Sequence, residues 1–285
     1  RTSMISIKND FIEASIHELG AELQSLKKIN GENLIWKKNE FYWNRYAPLL
    51  FPIVGRLIND SYKHEGENYV MKQHGFARDC SFEVENYETH KVTFRLSANE
   101  FTLKQYPFYF ELTQRFELVD HSLVISSEVK NHNEEYLFYN IGGHPGFHID
   151  GKLSEYSLDF GGNFQTMQHL IEGNYYSNEA KPINLTNSFQ LQDSYFEKDA
   201  LVIKNVPFEE VCLVHEKKGK LVSMQCKDWT AIGFWTKIGA PFFCIEPWWG
   251  WADHLNSSGI LHEKPGILTL KSNEARMHQY SLTLH

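Results

Sequence analysis

The chain has 285 residues, of which 42% are hydrophobic and 22% are charged, and its formal net charge is -8. This composition is typical of a globular protein, and the length suffices for one large all-β domain. The negative charge argues against nucleic acid and anionic membranes as partners, because both attract a basic surface. No apolar run approaches the roughly 20 residues that a membrane-spanning helix needs.

The N-terminus and the cysteines indicate a cytoplasmic protein. Met4 is a plausible native start, and the polar and charged residues that closely follow it are unlike a signal peptide. We therefore expect residues 1–3 to be a remnant of expression and residues 4–285 to form a single domain. Widely spaced cysteines without a Cys-x-x-Cys pair are typical of reduced thiols. The four are Cys80, Cys212, Cys226 and Cys244.

In the first half of the chain, alternation of apolar and polar residues predicts short β-strands. The predicted strands cover residues 5–7, 12–16, 21–29 and 33–36, a hairpin of 81–87 with 91–96, and a long pair of 108–119 with 122–129. Residues 47–57 contain two prolines and a glycine, so we expect an irregular buried strand that carries Arg56. Residues 99–106 are one of the few stretches expected to form a helical turn.

In the second half, residues 151–205 are more polar and less periodic, and we expect them to form long surface excursions. Further strands are predicted at residues 211–214, 221–226, 231–236, 242–245, 266–270 and 277–284. With so many short strands and so little helical periodicity, the predicted fold is all-β. Its predicted architecture is a large antiparallel β-sandwich with minor helix.

Glu246 follows an apolar, strand-like run and stands next to three tryptophans. A buried carboxylate is costly unless it is paired or used. A carboxylate beside flat aromatic faces suits a sugar, whose C–H groups pack on the rings and whose hydroxyls need an acceptor. The alternative is a strand that ends in a turn at Pro247, with the tryptophans in the core and Glu246 in a salt bridge. The tryptophans are Trp248, Trp249 and Trp251.

Two histidines lie in glycine-containing segments that interrupt the strand pattern. His74 lies in Gln-His-Gly-Phe-Ala-Arg, and His144 lies in Gly-Gly-His-Pro-Gly-Phe. Loops on a rigid sheet often carry binding and catalytic residues, although either histidine alone could be an ordinary turn residue. A metal site formed by His74, His144 and Glu246 is a further alternative. The close pair of histidines on one strand that is usual for such a site is missing.

Four motifs follow one another along most of the chain. They are Phe-Pro-Ile-Val-Gly-Arg-Leu from residue 51, His-Gly-Phe-Ala-Arg from 74, Gly-Gly-His-Pro-Gly-Phe from 142 and Glu-Pro-Trp-Trp-Gly from 246. In this order they resemble the aldose 1-epimerase (mutarotase) family, and its LacX-like branch in particular. The resemblance implies a galactose-mutarotase-like supersandwich without cofactor or metal. It also implies a monosaccharide as partner, for a chain that is a monomer or a homodimer.

The resemblance also implies roles for single residues. Glu246 matches the family's general base and His144 its general acid, while His74 matches a second active-site histidine and Arg56 an arginine that contacts the substrate. The segment 223–236 is similar to the one that carries a sugar-binding aspartate, which here would be Asp228. The proline and glycine usual after that aspartate are absent, so a turn aspartate is the alternative.

Two further residues complete the predicted site. Trp248 would offer a flat face to the sugar, and Arg78 belongs to a motif shared with a neighbouring branch that acts on hexose 6-phosphates. In that alternative, cationic side chains would bind the phosphate, which the negative net charge does not support. The candidates for such a cluster are Arg45, Arg56, Arg78 and Lys264. A carbohydrate-binding protein without activity is another alternative.

Anomer exchange needs one acid and one base. The C1 hydroxyl loses a proton while the ring oxygen gains one, the C1–O5 bond opens, the aldehyde rotates and the ring closes on the other face. A carboxylate that is ionised at neutral pH and an imidazolium on opposite sides of the hemiacetal suit these tasks. We therefore expect Glu246 to be charged and His144 to be protonated.

Overall fold

The alternating residues form strands over most of the chain. The computed structural model describes residues 3–285, and strands make up 52% of it against 7% helix. The prediction of an all-β fold with large antiparallel sheets and minor helix is confirmed. Residues 1 and 2, which were assigned to a remnant, lie outside the described residues. Between residues 3 and 285, no helix has both the length and the apolar character needed to cross a membrane.

The strands are short and numerous. In chain order they are β1 (Met4–Lys8), β2 (Ile12–His17), β3 (Glu22–Lys28), β4 (Ser61–His64), β5 (Glu67–Val70), β6 (Glu83–Glu88), β7 (Lys91–Ser97), β8 (Phe110–Val119), β9 (Ser122–Asn131), β10 (Leu137–Tyr139), β11 (Ile141–Gly142), β12 (Gly146–His148), β13 (Tyr156–Asp159), β14 (Phe164–Glu172), β15 (Tyr175–Leu185), β16 (Phe189–Gln190), β17 (Leu201–Lys204), β18 (Glu210–His215), β19 (Gly219–Gln225), β20 (Ala231–Trp235), β21 (Phe242–Trp249), β22 (Leu268–Leu270) and β23 (Ala275–Leu284).

Helix is confined to single turns. The predicted helical turn is α1 (Glu100–Leu103), which begins with a capping box between Asn99 and Thr102. The 3-10 turns are Ile58–Asp60, Ala77–Asp79, Leu153–Glu155, Asp193–Phe196 and Leu261–Glu263.

Two large antiparallel sheets carry most of the strands. The first has the order β16-β13-β18-β19-β23-β9-β8-β7-β6, and the second has the order β11-β21-β20-β17-β14-β15, with β12 also paired to β21. Smaller groups are β1-β2-β3, β4-β5 and β10-β22. Apolar side chains of both large sheets, among them Phe94 and Phe116 of the first and Phe234 and Phe243 of the second, belong to one buried cluster. The main core therefore includes side chains of both sheets.

Strand β21 has two different faces. Phe243, Ile245 and Trp249 belong to the main core, and because side chains alternate along a strand, Glu246 and Trp248 point to the other face. The strand continues through Pro247 and remains paired with β20 as far as Trp248. The alternative of a turn at Pro247 is therefore wrong.

Two other predictions need correction. Residues 151–205 form strands β13 to β17 rather than surface excursions alone, and β14 and β15 make a long hairpin. Most residues of β15 are exposed, so its polar sequence does not show the alternation of a half-buried strand. Residues 33–36 form only an isolated bridge from Ile35 to Phe147.

The proline-containing segment 47–57 is irregular, as predicted, and it contacts the segments that carry both histidines. Leu50 bridges to Gly142, and the N–H of Phe51 donates to the carbonyl of His74. His74 and Gly75 both adopt a positive φ, of 64° and 74°. A Cβ on Gly75 would lie 2.2 Å from the carbonyl oxygen of Phe51. Only glycine allows these two segments to approach so closely.

We expect Gly75→Ala to lower the free energy of unfolding by about 3 kcal/mol or more, since a backbone clash adds to the strain of a positive φ. Gly66→Ala is the matched control. Its φ is 81°, but a Cβ there would meet no atom within 4 Å, so the loss should be about 1 to 2 kcal/mol. Denaturant unfolding of both variants measures the difference, and equal losses would contradict the proposed close approach.

Candidate active site

A cavity of about 670 Å³ lies against the face of β21 that points away from the main core. Its volume is in the range usual for small-molecule sites. Six of the seven site residues predicted from the sequence line it, although they come from four separate segments. These are Arg56, His74, Arg78, His144, Glu246 and Trp248.

Glu246 and His144 are in contact inside this cavity. Oε1 of Glu246 lies 3.0 Å from Nε2 of His144, and the side chains are 2% and 8% exposed. The strand register explains the contact. Gly142 of β11 pairs with Trp248 and Gly146 of β12 pairs with Cys244, so the interruption between β11 and β12 carries His144 opposite Glu246. Two hydrogen bonds hold the interruption to β21, from the N–H of Gly143 to the carbonyl of Pro247 and from the N–H of Ile245 to that of Pro145.

Burial disfavours the charged form of both groups. It lowers the pKa of His144 to about 3, with a smaller contribution from the positive charge of Arg78. It raises the pKa of Glu246 well above its usual range, and the negative charge of Asp199 adds to this effect. In the free protein we therefore assign the proton of the pair to the carboxyl group, which donates to a neutral imidazole. The sequence predicted a carboxylate and an imidazolium instead. That state would place two charges in a buried environment, which burial disfavours.

His74 lies beside this pair and is fixed in one tautomer. Its Nδ1 accepts the N–H of Gly55 at 2.9 Å, so Nε2 carries the proton of the neutral ring. The ring centroids of His74 and His144 are 5.6 Å apart. Burial lowers the pKa of His74 well below its usual value, and the neighbouring His144, Arg78 and Arg45 act in the same direction. His74 is thus a neutral hydrogen-bond donor.

Tryptophans form much of the apolar wall. Trp248 lines the cavity, whereas Trp249 is buried in the main core. Trp43 and Trp235 also line the cavity, with ring centroids 4.9 and 5.7 Å from that of His144. Neither residue was predicted from the sequence to belong to the site. A signal existed for Trp235, because it pairs with Cys244 across two predicted strands.

The two arginines of the cavity differ in their partners. The Arg56 guanidinium donates to both carboxylate oxygens of Asp60, at 2.9 and 3.0 Å. Arg78 donates to the carbonyl of Gln73, while its Nε is buried without a hydrogen-bond partner among residues 3–285. Burial lowers the pKa of Arg78 to about 10. Arg78 therefore retains more capacity to bind a ligand than Arg56.

Asp228 lies outside the cavity, which differs from its predicted place in the sugar site. Its Oδ1 accepts the indole N–H of Trp249 at 3.3 Å, so the carboxylate supports a core side chain. Two members of the suggested phosphate cluster are also absent from the cavity lining. Arg45 pairs with Asp79, and the buried Lys264 lies 3.6 Å from Asp253.

A possible metal-ligating group overlaps the acid–base pair. Ligand atoms of His144, Cys244 and Glu246 all lie within 4.8 Å of one another. The suggested set contained His74 in place of Cys244, so the structure groups different residues. Burial raises the pKa of the Cys244 thiol well above its usual value. Since the thiolate is the form that binds metals, this environment disfavours Cys244 as a ligand.

Eight cavity residues come from the polar region in which no strands were predicted, and two of them bear on the acid–base pair. Tyr176 of β15 and Asp199, which precedes β17, both line the cavity. Burial raises the pKa of Tyr176 beyond its usual range, and the charges of Asp199 and Glu246 add to this shift. Neither residue lies in a recognisable motif, so the sequence alone offered no signal for them.

Comparisons with known proteins match this chain over nearly its whole length. The family model described as aldose 1-epimerase matches residues 3–283. The chromosomal LacX protein of Lactococcus lactis subsp. lactis is 29% identical over 295 aligned positions, which cover 98% of this chain and 99% of that protein. A galactose mutarotase related enzyme from Lactobacillus acidophilus has a TM-score of 0.93 at 34% identity, covering 99% of this chain and 97% of its own. A galactose mutarotase-like protein from Lactobacillus casei has a TM-score of 0.94 at 28% identity, covering 99% and 100%.

We expect the imidazole of His144 to stay neutral in the folded protein from about pH 8 down to about pH 4, because its burial disfavours the cation. The unfolded chain takes up this proton near its ordinary pKa of 6.5. The unfolded chain thus binds a proton that the folded protein excludes, and the free energy of unfolding falls as the pH drops from about 6.5 towards 3. NMR of labelled histidine, assigned by comparison with His144→Asn, measures the titration. A midpoint above about pH 6 would contradict the assigned protonation.

Proposed function

Since the chain belongs to the aldose 1-epimerase family, we propose that it interconverts the α and β anomers of a hexose, with Glu246 as general base and His144 as general acid. The single observation that carries this proposal is the buried contact of 3.0 Å between the two side chains. Tryptophan faces beside the pair suit the C–H groups of a pyranose. The named galactose mutarotase relatives make galactose and glucose the first hexoses to test.

The close pair fits the geometry of the reacting atoms. In a pyranose, the C1 hydroxyl oxygen and the ring oxygen O5 are bonded to the same carbon and are therefore neighbours. Glu246 and His144 can contact one oxygen each from the same side of the anomeric carbon. This differs from the expected arrangement on opposite sides of the sugar, and it requires a sugar hydroxyl to replace the direct contact within the pair.

The reaction begins once the carboxyl proton of Glu246 has passed to His144, its neighbour at 3.0 Å, which leaves the carboxylate of Glu246 free to accept. Glu246 takes the proton of the C1 hydroxyl, His144 gives its proton to O5, and the C1–O5 bond breaks to form the aldehyde and a free hydroxyl. After the aldehyde rotates, O5 attacks its other face. O5 then returns its proton to His144, and Glu246 returns the other to the new C1 hydroxyl.

Burial of the pair favours the ring-opening step. Ring opening leaves Glu246 protonated and His144 neutral, which is the state that burial favours for both groups. The environment thus opposes the charged starting pair and favours the neutral pair that accompanies the open-chain aldehyde. His74 supplies a fixed neutral donor beside the pair, and the aromatic walls hold the sugar in one orientation while both proton transfers take place.

We expect Glu246→Gln and His144→Asn each to slow anomer exchange by about 10² to 10⁴-fold, because each removes a group that transfers a proton but keeps a side chain of similar shape. Polarimetry of freshly dissolved α-glucose and α-galactose measures the rate. The matched control is Glu197→Gln, which removes an exposed carboxylate at the same cavity and should retain the rate of the parent.

Two outcomes would contradict this assignment. If either variant accelerates exchange as the parent does, the proposed acid or base is wrong. If the parent itself binds sugars, as followed by the fluorescence of the cavity tryptophans, but does not accelerate exchange, the chain is a carbohydrate-binding protein.

A phosphorylated hexose is the second candidate substrate, and the unpartnered Nε of Arg78 is the observation that favours it. Lys198 and Lys237 also line the cavity. Glu197 and Asp199, however, lie on the same wall as Lys198, and their carboxylates oppose a phosphate.

We therefore expect kcat/KM for glucose 6-phosphate to be no higher than for glucose, because the carboxylates of the cavity repel the added negative charge. Polarimetry with both sugars at equal concentration gives the comparison, and Arg78→Met is the informative variant. A preference of about tenfold or more for the phosphate that Arg78→Met removes would establish the phosphorylated substrate instead.

A further inference from the structure

Asp199 faces the cavity from the wall formed by the polar half of the chain. It lies between the 3-10 turn Asp193–Phe196 and β17, and it lines the same cavity as Glu246 and His144. The next residue, Ala200, packs against a buried cluster that contains Trp248. The backbone at Asp199 is therefore fixed relative to the strand that carries Glu246.

The carboxylate of Asp199 has unused hydrogen-bonding capacity. Its one hydrogen bond among residues 3–285 is from the N–H of Ala200, at 2.6 Å, and no lysine, arginine or histidine of these residues lies within ion-pair distance of it. A carboxylate can accept about four hydrogen bonds. The residue is half-buried, and burial raises its pKa above the usual value. A partly desolvated acceptor without a cation is therefore free to accept hydrogen bonds from a ligand in the cavity.

We propose that Asp199 accepts hydrogen bonds from hexose hydroxyls away from the anomeric centre and thereby selects which hexose the cavity binds. The inference rests on the proposed function, because that function defines the ligand as a hexose with C1 at Glu246 and His144. The sugar hydroxyl is the appropriate partner, since it donates a hydrogen bond and brings no charge into the site. The acceptor role suggested for Asp228 falls to Asp199, because Asp228 is occupied with Trp249.

Asp199 also acts on the base at a distance. After burial, the negative charge of Asp199 is the largest cause of the raised pKa of Glu246. The charges of Asp199 and Glu246 also raise the pKa of Tyr176. The other ionisable groups around Glu246 are His144, from the interruption between β11 and β12, and Cys244, from β21 itself. A neutral residue at position 199 should therefore make Glu246 easier to ionise.

The test measures equilibrium binding by tryptophan fluorescence, with glucose, galactose and a series of glucoses that each lack one hydroxyl. Asp199→Ala should weaken binding of the complete hexose about 10- to 100-fold, as expected for hydrogen bonds to a charged acceptor. It should cause a much smaller loss for the deoxy sugar that lacks the contacted hydroxyl. Asp193→Asn, which neutralises an exposed carboxylate of the neighbouring 3-10 turn outside the cavity lining, should bind every sugar as the parent does.

Asp199→Asn preserves the shape of the side chain and tests the charge alone. The loss of negative charge should move the pH profile of kcat/KM, including its acidic limb, to lower pH, because the pair of Glu246 and His144 then binds each of its protons less tightly. A merely structural role would not shift this limb. Thermal unfolding of both variants checks that the fold is retained.

Asp199→Ala that binds all sugars like the parent would overturn the inference. So would an equal loss for every deoxy sugar, since no particular hydroxyl would then be recognised. Binding is measured without turnover, so it separates the two proposals. If the parent does not exchange anomers but Asp199→Ala shows the hydroxyl-specific loss of binding, only the proposed function is contradicted. If the parent exchanges anomers but Asp199→Ala shows no such loss, only the role of Asp199 is contradicted.

Discussion

The buried contact between Glu246 and His144 is the constraint on which the rest of the site depends. Little of either side chain is exposed to water there, so the surrounding strands hold both in position and burial disfavours a charge on each. The segments that carry His74 and Arg56 are fastened to the same region through Leu50 and Phe51. Two side chains distant in sequence are thus held in contact because the backbone on both sides of the pair is fixed.

The walls of the cavity have separate physical roles. One side supplies aromatic faces, chiefly Trp43, Trp235 and Trp248, against which the proposed sugar would place its apolar C–H groups. The other side comes from the polar half of the chain and brings Tyr176 and Asp199. In the proposed function, apolar contact and hydroxyl recognition would therefore come from different parts of the sequence.

Much of the fold was predictable because half-buried strands alternate, and the long pair β8 and β9 was found almost to its ends. The motif residues at the site were predictable because glycine, proline and aromatic residues interrupt that alternation at His74, His144 and Glu246. Strands such as β15 were missed because they are exposed and polar, so nothing in their pattern indicates pairing. Asp199 was missed because its role depends on tertiary position alone. The protonation of the pair in the free protein could not be derived from the sequence, because burial is a property of the fold.

The pairing of β11 and β12 with β21 has a consequence for how such a chain can diverge. Gly142 and Gly146 are anchored opposite Trp248 and Cys244, so three residues, Gly143 to Pro145, span the gap across from Glu246. Connecting loops elsewhere can lengthen or shorten without disturbing this spacing. A single insertion or deletion within either motif, in contrast, would shift one strand by a residue, turn alternate side chains to the wrong face and separate the two partners. Descendants of this chain can therefore vary widely in total length while these two short spacings stay the same.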